Sequence, residues 1–231
     1  MLVSGITYHA SKDIKIKVLK KVLDANEDKA RQIRQLLSEK NTFMVNLISS
    51  PGSGKTTLLE KSLEFFQGKY KVAVIEGDVA TDKDAQRLHQ FHAPIVLINT
   101  EGGCHLSSPS IEKALYELDL ENLDIVFIEN VGNLVCPSGF DLGEHAKIAV
   151  VSTAEGDDKP AKYPMLFRQA KLVILNKMDL LEHVNFDRAQ FYQNLNKLNA
   201  EVPVVETSCT TGQGLEGWFG WLTDNVEHAK S

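Results

Sequence analysis

A chain of 231 residues, 43% hydrophobic and 24% charged, has the apolar material for one sizeable core and is too mixed for a disordered, collagen-like or coiled-coil protein. Its 25 Lys and Arg against 31 Asp and Glu leave a net charge of −6, so no basic surplus draws it to nucleic acid or to an anionic membrane surface. Apolar runs of about five to seven residues fall short of the roughly 20 that span a bilayer. His9, Lys12, Asp13 and Lys15 interrupt any signal-like N-terminal segment, and a cytoplasmic location is expected.

In chain order, residues 14–37 come first, with apolar side chains at helical spacing: Val18 with Val22, Leu19 with Leu23, Ile33 with Leu37. They predict one or two helices packed on the main domain. A partner-binding arm and a metal-storage extension are the two functional readings; the first forty residues hold no cysteine and only His9, which disfavours storage. Strands are predicted at 43–49, 71–76, 94–99, 123–129, 147–152, 171–175 and 203–207, mostly as continuous Val/Ile/Leu runs of the kind that parallel strands show when helices cover both faces. Amphipathic stretches at 56–66, 110–118, 187–198 and 215–226 alternate with them and predict an α/β doubly wound fold, a mostly parallel sheet between helical layers.

Directly between the first strand and its helix lies Ser49-Ser50-Pro51-Gly52-Ser53-Gly54-Lys55-Thr56-Thr57. It matches the phosphate-binding P-loop pattern except that Ser49 stands at the opening glycine. Gly52, Ser53 and Gly54 let backbone N–H groups wrap phosphate oxygens at a helix N-terminus, Lys55 reaches the β- and γ-phosphates, and Thr56, followed by Thr57, offers a hydroxyl to Mg²⁺. The chain therefore divides into a helical extension, residues 1–40, and a P-loop domain, residues 41–231.

After the sixth predicted strand comes Asn176-Lys177-Met178-Asp179, the NKxD pattern of guanine recognition. A carboxylate such as Asp179 accepts from both N1–H and the exocyclic amino group of guanine, donors that adenine lacks. Ser208 and Cys209, after the last strand, resemble the final base-contacting loop of GTPases, with Cys209 at the usual alanine. GTP is expected over ATP. Glu129-Asn130-Val131-Gly132 stands where GTPases carry DxxG, with Gly132 offering its N–H to a γ-phosphate and Glu129 approaching Mg²⁺. Asp78, just past the second strand, is the second carboxylate expected near the magnesium. Lys55, Asp78 and Glu129 are the candidate catalytic residues.

Three cysteines make no disulfide framework. Cys104 and His105 follow Gly102 and Gly103, a bend that lets two neighbours share one ion, and Cys136 lies shortly beyond the ExxG acid. Two thiolates and an imidazole suit Zn²⁺ or Ni²⁺ and leave a position for water or for a ligand from a second subunit. Cys209 is read as a small residue of the base loop.

Together the segments SSPGSGKTTLLE from Ser49, EGDVATDKDAQRL from Glu76, TEGGCHL from Thr100, ENVGNLVCPSGFDLGE from Glu129, VVSTAEGDDKPAKYP from Val150 and NKMDLL from Asn176 resemble the HypB family of hydrogenase maturation GTPases, over about Asn41 to Trp221. The resemblance implies a SIMIBI-class P-loop fold, slow GTP hydrolysis, a GTP-dependent homodimer with nickel or zinc at its interface, a HypA-type zinc/nickel helper, and the [NiFe]-hydrogenase large subunit as target. It assigns metal binding to Cys104, His105 and Cys136 and guanine recognition to Asn176, Lys177 and Asp179. A urease accessory nickel GTPase is the alternative within this class, though that family uses a Cys-Pro-His triplet; a P-loop small-molecule kinase is the alternative outside it.

Overall fold

The continuous apolar runs pair side by side in one parallel sheet. The computed structural model describes residues 9–77, 90–100 and 102–230, with the side chains of the first helix from Asp24 onward. Its strands are β1 (Phe43–Ser49), β2 (Val72–Glu76), β3 (Ile95–Leu97), β4 (Ile125–Glu129), β5 (Ala146–Ser152), β6 (Leu172–Asn176) and β7 (Val204–Glu206). Their order is β3-β2-β4-β1-β5-β6-β7, every pairing parallel. Strands β1, β2, β4 and β6 are buried along their whole length, which is why their sequences do not alternate.

The α-helices among the described residues are α1 (His9–Glu39), α2 (Lys55–Phe66), α3 (Ser108–Tyr116), α4 (Lys159–Lys162), α5 (Pro164–Gln169), α6 (Arg188–Asn196) and α7 (Leu215–Lys230). On one face Leu58, Leu63 and Phe66 of α2 and Trp218 and Leu222 of α7 pack on Val45, Leu47 and Phe127. The opposite face carries Ile33 and Leu37 of α1 with Ile111 and Leu115 of α3, and beside them Phe167 of α5 with Phe191 of α6. The N-terminal segment is one helix rather than two. Helix α3 starts two residues before the predicted 110–118 because Ser107 and Ser110 form a capping box, with serine in the place usually held by Glu or Gln.

Helix α1 is tied down by more than apolar contact. Asn26, Ala30, Ile33 and Leu37 are buried on one stripe. Lys29 pairs with Glu112 of α3 at 2.8 Å, and Arg34 with Asp141 at 2.7 Å. Asp141 belongs to the excursion between β4 and β5, whose far end is zipped to β1: His145 N–H donates to the Met44 carbonyl at 2.8 Å, and His145 Nδ1 accepts from Met44 N–H at 3.0 Å. The His145 ring stacks on Phe43. Burial, aided by the Arg34 charge, holds the imidazole pKa down to about 4.

Two predictions follow from this docking. Gly143 has φ +82° and a Cβ there would lie 2.6 Å from Ile33; Gly143→Ala is expected to destabilise the fold by about 2–4 kcal/mol in denaturant unfolding, and a change below about 0.5 kcal/mol would contradict the packing. Because His145 is neutral in the fold and titrates near its ordinary value of 6.5 when unfolded, its contribution is complete above that value and is lost as pH falls towards about 4. The melting temperature should drop more steeply over that window in the wild type than in His145→Asn.

Candidate functional site

A parallel sheet sends the loops after its strands to one edge, and the sequence motifs gather there. The loop after β1 runs through Gly52 (φ +80°) and Gly54 (φ +98°) into α2, lining a cavity of about 300 Å³ that Lys177 closes from the side. Helix α2 has no side-chain cap on its N-terminus, so its first N–H groups face the cavity as an anion cradle. The Ser53 hydroxyl donates back to the Ser50 carbonyl at 3.0 Å and closes the loop instead of facing the cradle.

Lys55 is buried; its ammonium donates to the Asn130 carbonyl and lies 3.9 Å from Glu129 Oε1. Thr56 Oγ1 donates to the same carboxylate oxygen at 2.5 Å. Glu129 Oε2 is buried with no hydrogen-bond partner among the described residues. A hydroxyl beside a carboxylate with an orphaned oxygen is a hard-oxygen donor pair, and it fits Mg²⁺. Gly132 is half-buried two residues past Asn130. Asp78 lies outside the described residues.

Asn176, expected to read the base, is buried and bonded to protein on both ends of its amide. Nδ2 donates to the Ser53 carbonyl at 2.9 Å, while Oδ1 accepts from Cys209 N–H at 3.1 Å and Thr207 Oγ1 at 3.3 Å. It locks the phosphate loop to the last loop. Lys177 adopts φ +61°, its carbonyl accepting from Thr153, and this brings Asp179 to the exposed surface. Ser208 Oγ accepts from Thr211 N–H at 3.1 Å and shapes the turn. Cys209, read as a small residue of the base loop, has its side chain in the core, and burial pushes its thiol up to about 11.

The remaining cysteines and one histidine converge. One ligand atom each from Cys104, His105 and Cys136 lies within 4.8 Å of the others. Gly102 at φ +83° and the Gly103 N–H to Thr100 carbonyl bond bend the first loop, so Cys104 Sγ sits 3.6 Å from His105 Nδ1. In the second loop Asn133 Oδ1 accepts from Val135 N–H at 2.7 Å and presents Cys136. Phe140 of this loop stacks on His105, ring centres 3.9 Å apart. Burial lowers the His105 pKa and so favours the neutral imidazole, and the hydrogen bond that the Cys136 thiol donates to Cys104 raises the Cys136 pKa.

Sequence reasoning missed Asn46, Asn130 and Glu144, a buried chain in which Asn130 Nδ2 donates to Asn46 Oδ1 and Asn46 Nδ2 to Glu144 Oε1, both at 3.1 Å. The available signal was Asn46 itself, a lone amide inside the apolar run Phe43–Ser49. A Cβ on Gly54 would lie 2.3 Å from Asn176 Nδ2. Gly54→Ala should therefore weaken binding of a fluorescent GTP analogue about tenfold or more; affinity within twofold of wild type would show that the lock is dispensable.

Residues 43–206 match the CobW/HypB/UreG nucleotide-binding domain. The chain is 45% identical over 201 residues to hydrogenase maturation factor HypB of Escherichia coli (strain K12), covering 87% of this chain and 69% of that protein. The crystal structure of HypB from Archaeoglobus fulgidus is similar at TM-score 0.83 and 35% identity, over 88% of this chain and 100% of that one. HypB from Helicobacter pylori in complex with nickel is similar at TM-score 0.83 and 38% identity, over 88% and 96%. The signal recognition particle receptor FtsY of Elizabethkingia anophelis, 14% identical at TM-score 0.51, covers 84% of this chain and 73% of that one and shares the fold alone. On its sequence, its seven parallel strands and its P-loop edge, the chain belongs to the HypB family of hydrogenase maturation factors.

Proposed function

We propose that this chain is a GTP-hydrolysing nickel metallochaperone that assists nickel insertion into a [NiFe]-hydrogenase, with its Cys/His site coupled to the nucleotide. The observation that carries the reading is the convergence of Cys104, His105 and Cys136 from two loops beside the P-loop edge. Two thiolates and a neutral imidazole suit Ni²⁺ or Zn²⁺, and three protein ligands leave room for water or for a group from a second copy. The nickel complex of the H. pylori relative supports nickel as the cargo.

GTP is the substrate. The N–H groups from Gly52 to Thr57 and the Lys55 ammonium bind its phosphates, Gly132 N–H meets the γ-phosphate, and Asp179 reads guanine from a loop braced by Asn176 and Lys177. Thr56 and Glu129, with Asp78, would hold Mg²⁺, which would neutralise charge on the phosphates. Coupling runs through Lys55: a phosphate competes for the ammonium that now holds the Asn130 carbonyl, and Asn130 begins the loop that carries Cys136. Hydrolysis removes the γ-phosphate from Gly132 and relaxes the metal loop, and Lys55 returns to Asn130 once GDP leaves. Turnover is slow, because no catalytic glutamine or arginine finger stands out in the chain. A GTP-dependent homodimer, a HypA-type zinc/nickel protein and the hydrogenase large subunit are the partners, and residues 1–40 form an extension to the GTPase domain at 41–231.

Nickel and zinc titrations with and without a non-hydrolysable GTP analogue, following oligomeric state, test the reading. Cys136→Ala should lower metal affinity by at least about tenfold, since it removes one of three ligands, and unchanged affinity would dismiss the three-ligand site. Nucleotide competition should favour GTP; tight ATP binding beside weak GTP binding would restore the kinase alternative.

A further inference from the structure

Among the described residues, helix α1 neither lines the P-loop cavity nor supplies a metal ligand, yet one of its side chains holds both metal-bearing loops. Asn26 is buried, 5% exposed. Its Oδ1 accepts from Ser108 N–H at 2.9 Å, and the single hydroxyl hydrogen of Ser108 is shared between the Asn26 carbonyl at 2.7 Å and Asn26 Oδ1 at 3.0 Å. Its Nδ2 donates to the Asp141 carbonyl at 2.7 Å. Ser108 opens α3, three residues after His105; Asp141 lies five residues after Cys136 and next to Phe140, the ring stacked on His105. A buried amide left unbonded is costly, so both loops are held against one side chain. Asp141 cannot slide along that contact, because its carboxylate is pinned by Arg34 at 2.7 Å and by Gly143 N–H at 2.9 Å.

We propose that Asn26 is a positioning residue for the Cys104/His105/Cys136 site, its amide setting the separation between the two loops that supply the ligands. The inference rests on the metal reading above for its function, but the separation itself exists in the metal-free protein. Apolar contact alone would dock α1, as Ala30, Ile33 and Leu37 already do; an amide with one end on each loop adds register between them. The effect on the metal is that of an outer group orienting the ligands, which commonly changes affinity by about 10–100-fold.

The test uses the full chain as wild type, Asn26→Ala, Ser108→Ala, Cys136→Ala and Lys29→Ala. The last removes the α1–α3 ion pair while touching neither loop. Three quantities are read: Ni²⁺ affinity with the intensity of the nickel–thiolate charge-transfer band, GTP-analogue affinity, and the rate at which metal-free protein forms the Cys104–Cys136 disulfide with diamide. In that reaction diamide takes up the two electrons and two protons that the thiols release. Asn26→Ala should weaken nickel binding about 10–100-fold and slow disulfide formation, with GTP-analogue affinity kept. Ser108→Ala should move both readouts the same way by less, and Lys29→Ala should move neither. Wild-type nickel affinity and disulfide rate in Asn26→Ala would overturn the proposal, as would an equal loss in Lys29→Ala, which would mark general loosening of the helix. If Asn26→Ala loses GTP-analogue binding, Ser108→Ala decides: slower disulfide formation supports the proposal and a wild-type rate overturns it. Unchanged nickel affinity in Cys136→Ala, with disulfide formation still slowed by Asn26→Ala, would remove the metal reading and leave the positioning role standing.

Discussion

Asn46 sits in the middle of the central strand β1, where the sheet is fully buried, and its one amide closes both ends of the excursion between β4 and β5. Oδ1 takes the hydrogen of Asn130 at the start, and Nδ2 gives one to Glu144 at the finish. Glu144 is itself buried, and that burial raises its pKa. Its other oxygen accepts from Leu142 N–H at 2.7 Å, and Lys147 lies 3.8 Å away. An amide in such a place is tolerated only when both of its ends are bonded. Because they are, the segment from Asn130 to His145 is a closed loop anchored on the sheet at both ends, and Cys136 is carried between the two anchors.

The nucleotide edge meets this unit at the same residue. Lys55, which the P-loop pattern assigns to phosphate, holds the backbone carbonyl of Asn130, whose side chain is the first link to Asn46. A single residue therefore belongs to the phosphate site by its main chain and to the metal loop by its amide. On the function proposed above, a phosphate that withdraws Lys55 would change the bonding of Asn130 directly, without a longer chain of contacts between the two sites. Glu129, one residue earlier, adds a second link, since its carboxylate meets both Thr56 and Lys55.

Much of this was readable from the chain. The strands announced themselves because helices cover both faces, leaving unbroken apolar runs, and the P-loop and NKxD patterns followed strands β1 and β6 as their chemistry requires. What the pattern could not convey is which polar atoms are already engaged with protein. The Asn176 amide bonds the P-loop and the last loop, and the Ser53 hydroxyl and Cys209 side chain turn inward, contacts that no motif spells out. Asn46 left a trace as a lone amide among aliphatic neighbours. Asn26 left none, because a polar residue in a polar helix looks solvated until the loops that bury it are in place.

The cluster's own construction argues for a site that gives up its ion. Cys104 and His105 are chain neighbours that face together only because Gly102 bends the loop, and Phe140 from the opposite loop already orients the imidazole, so little reorganisation remains when a metal arrives. Yet Cys104 is exposed, and the hydrogen bond it shares with Cys136 favours the protonated thiol there. A metal must displace that proton, and protons compete for the site whenever the loops separate. Structural zinc sites avoid this competition with four closed ligands. On the function proposed above, three ligands split between two loops, one of them exposed, would be preorganised enough to capture an ion and incomplete enough to pass it on.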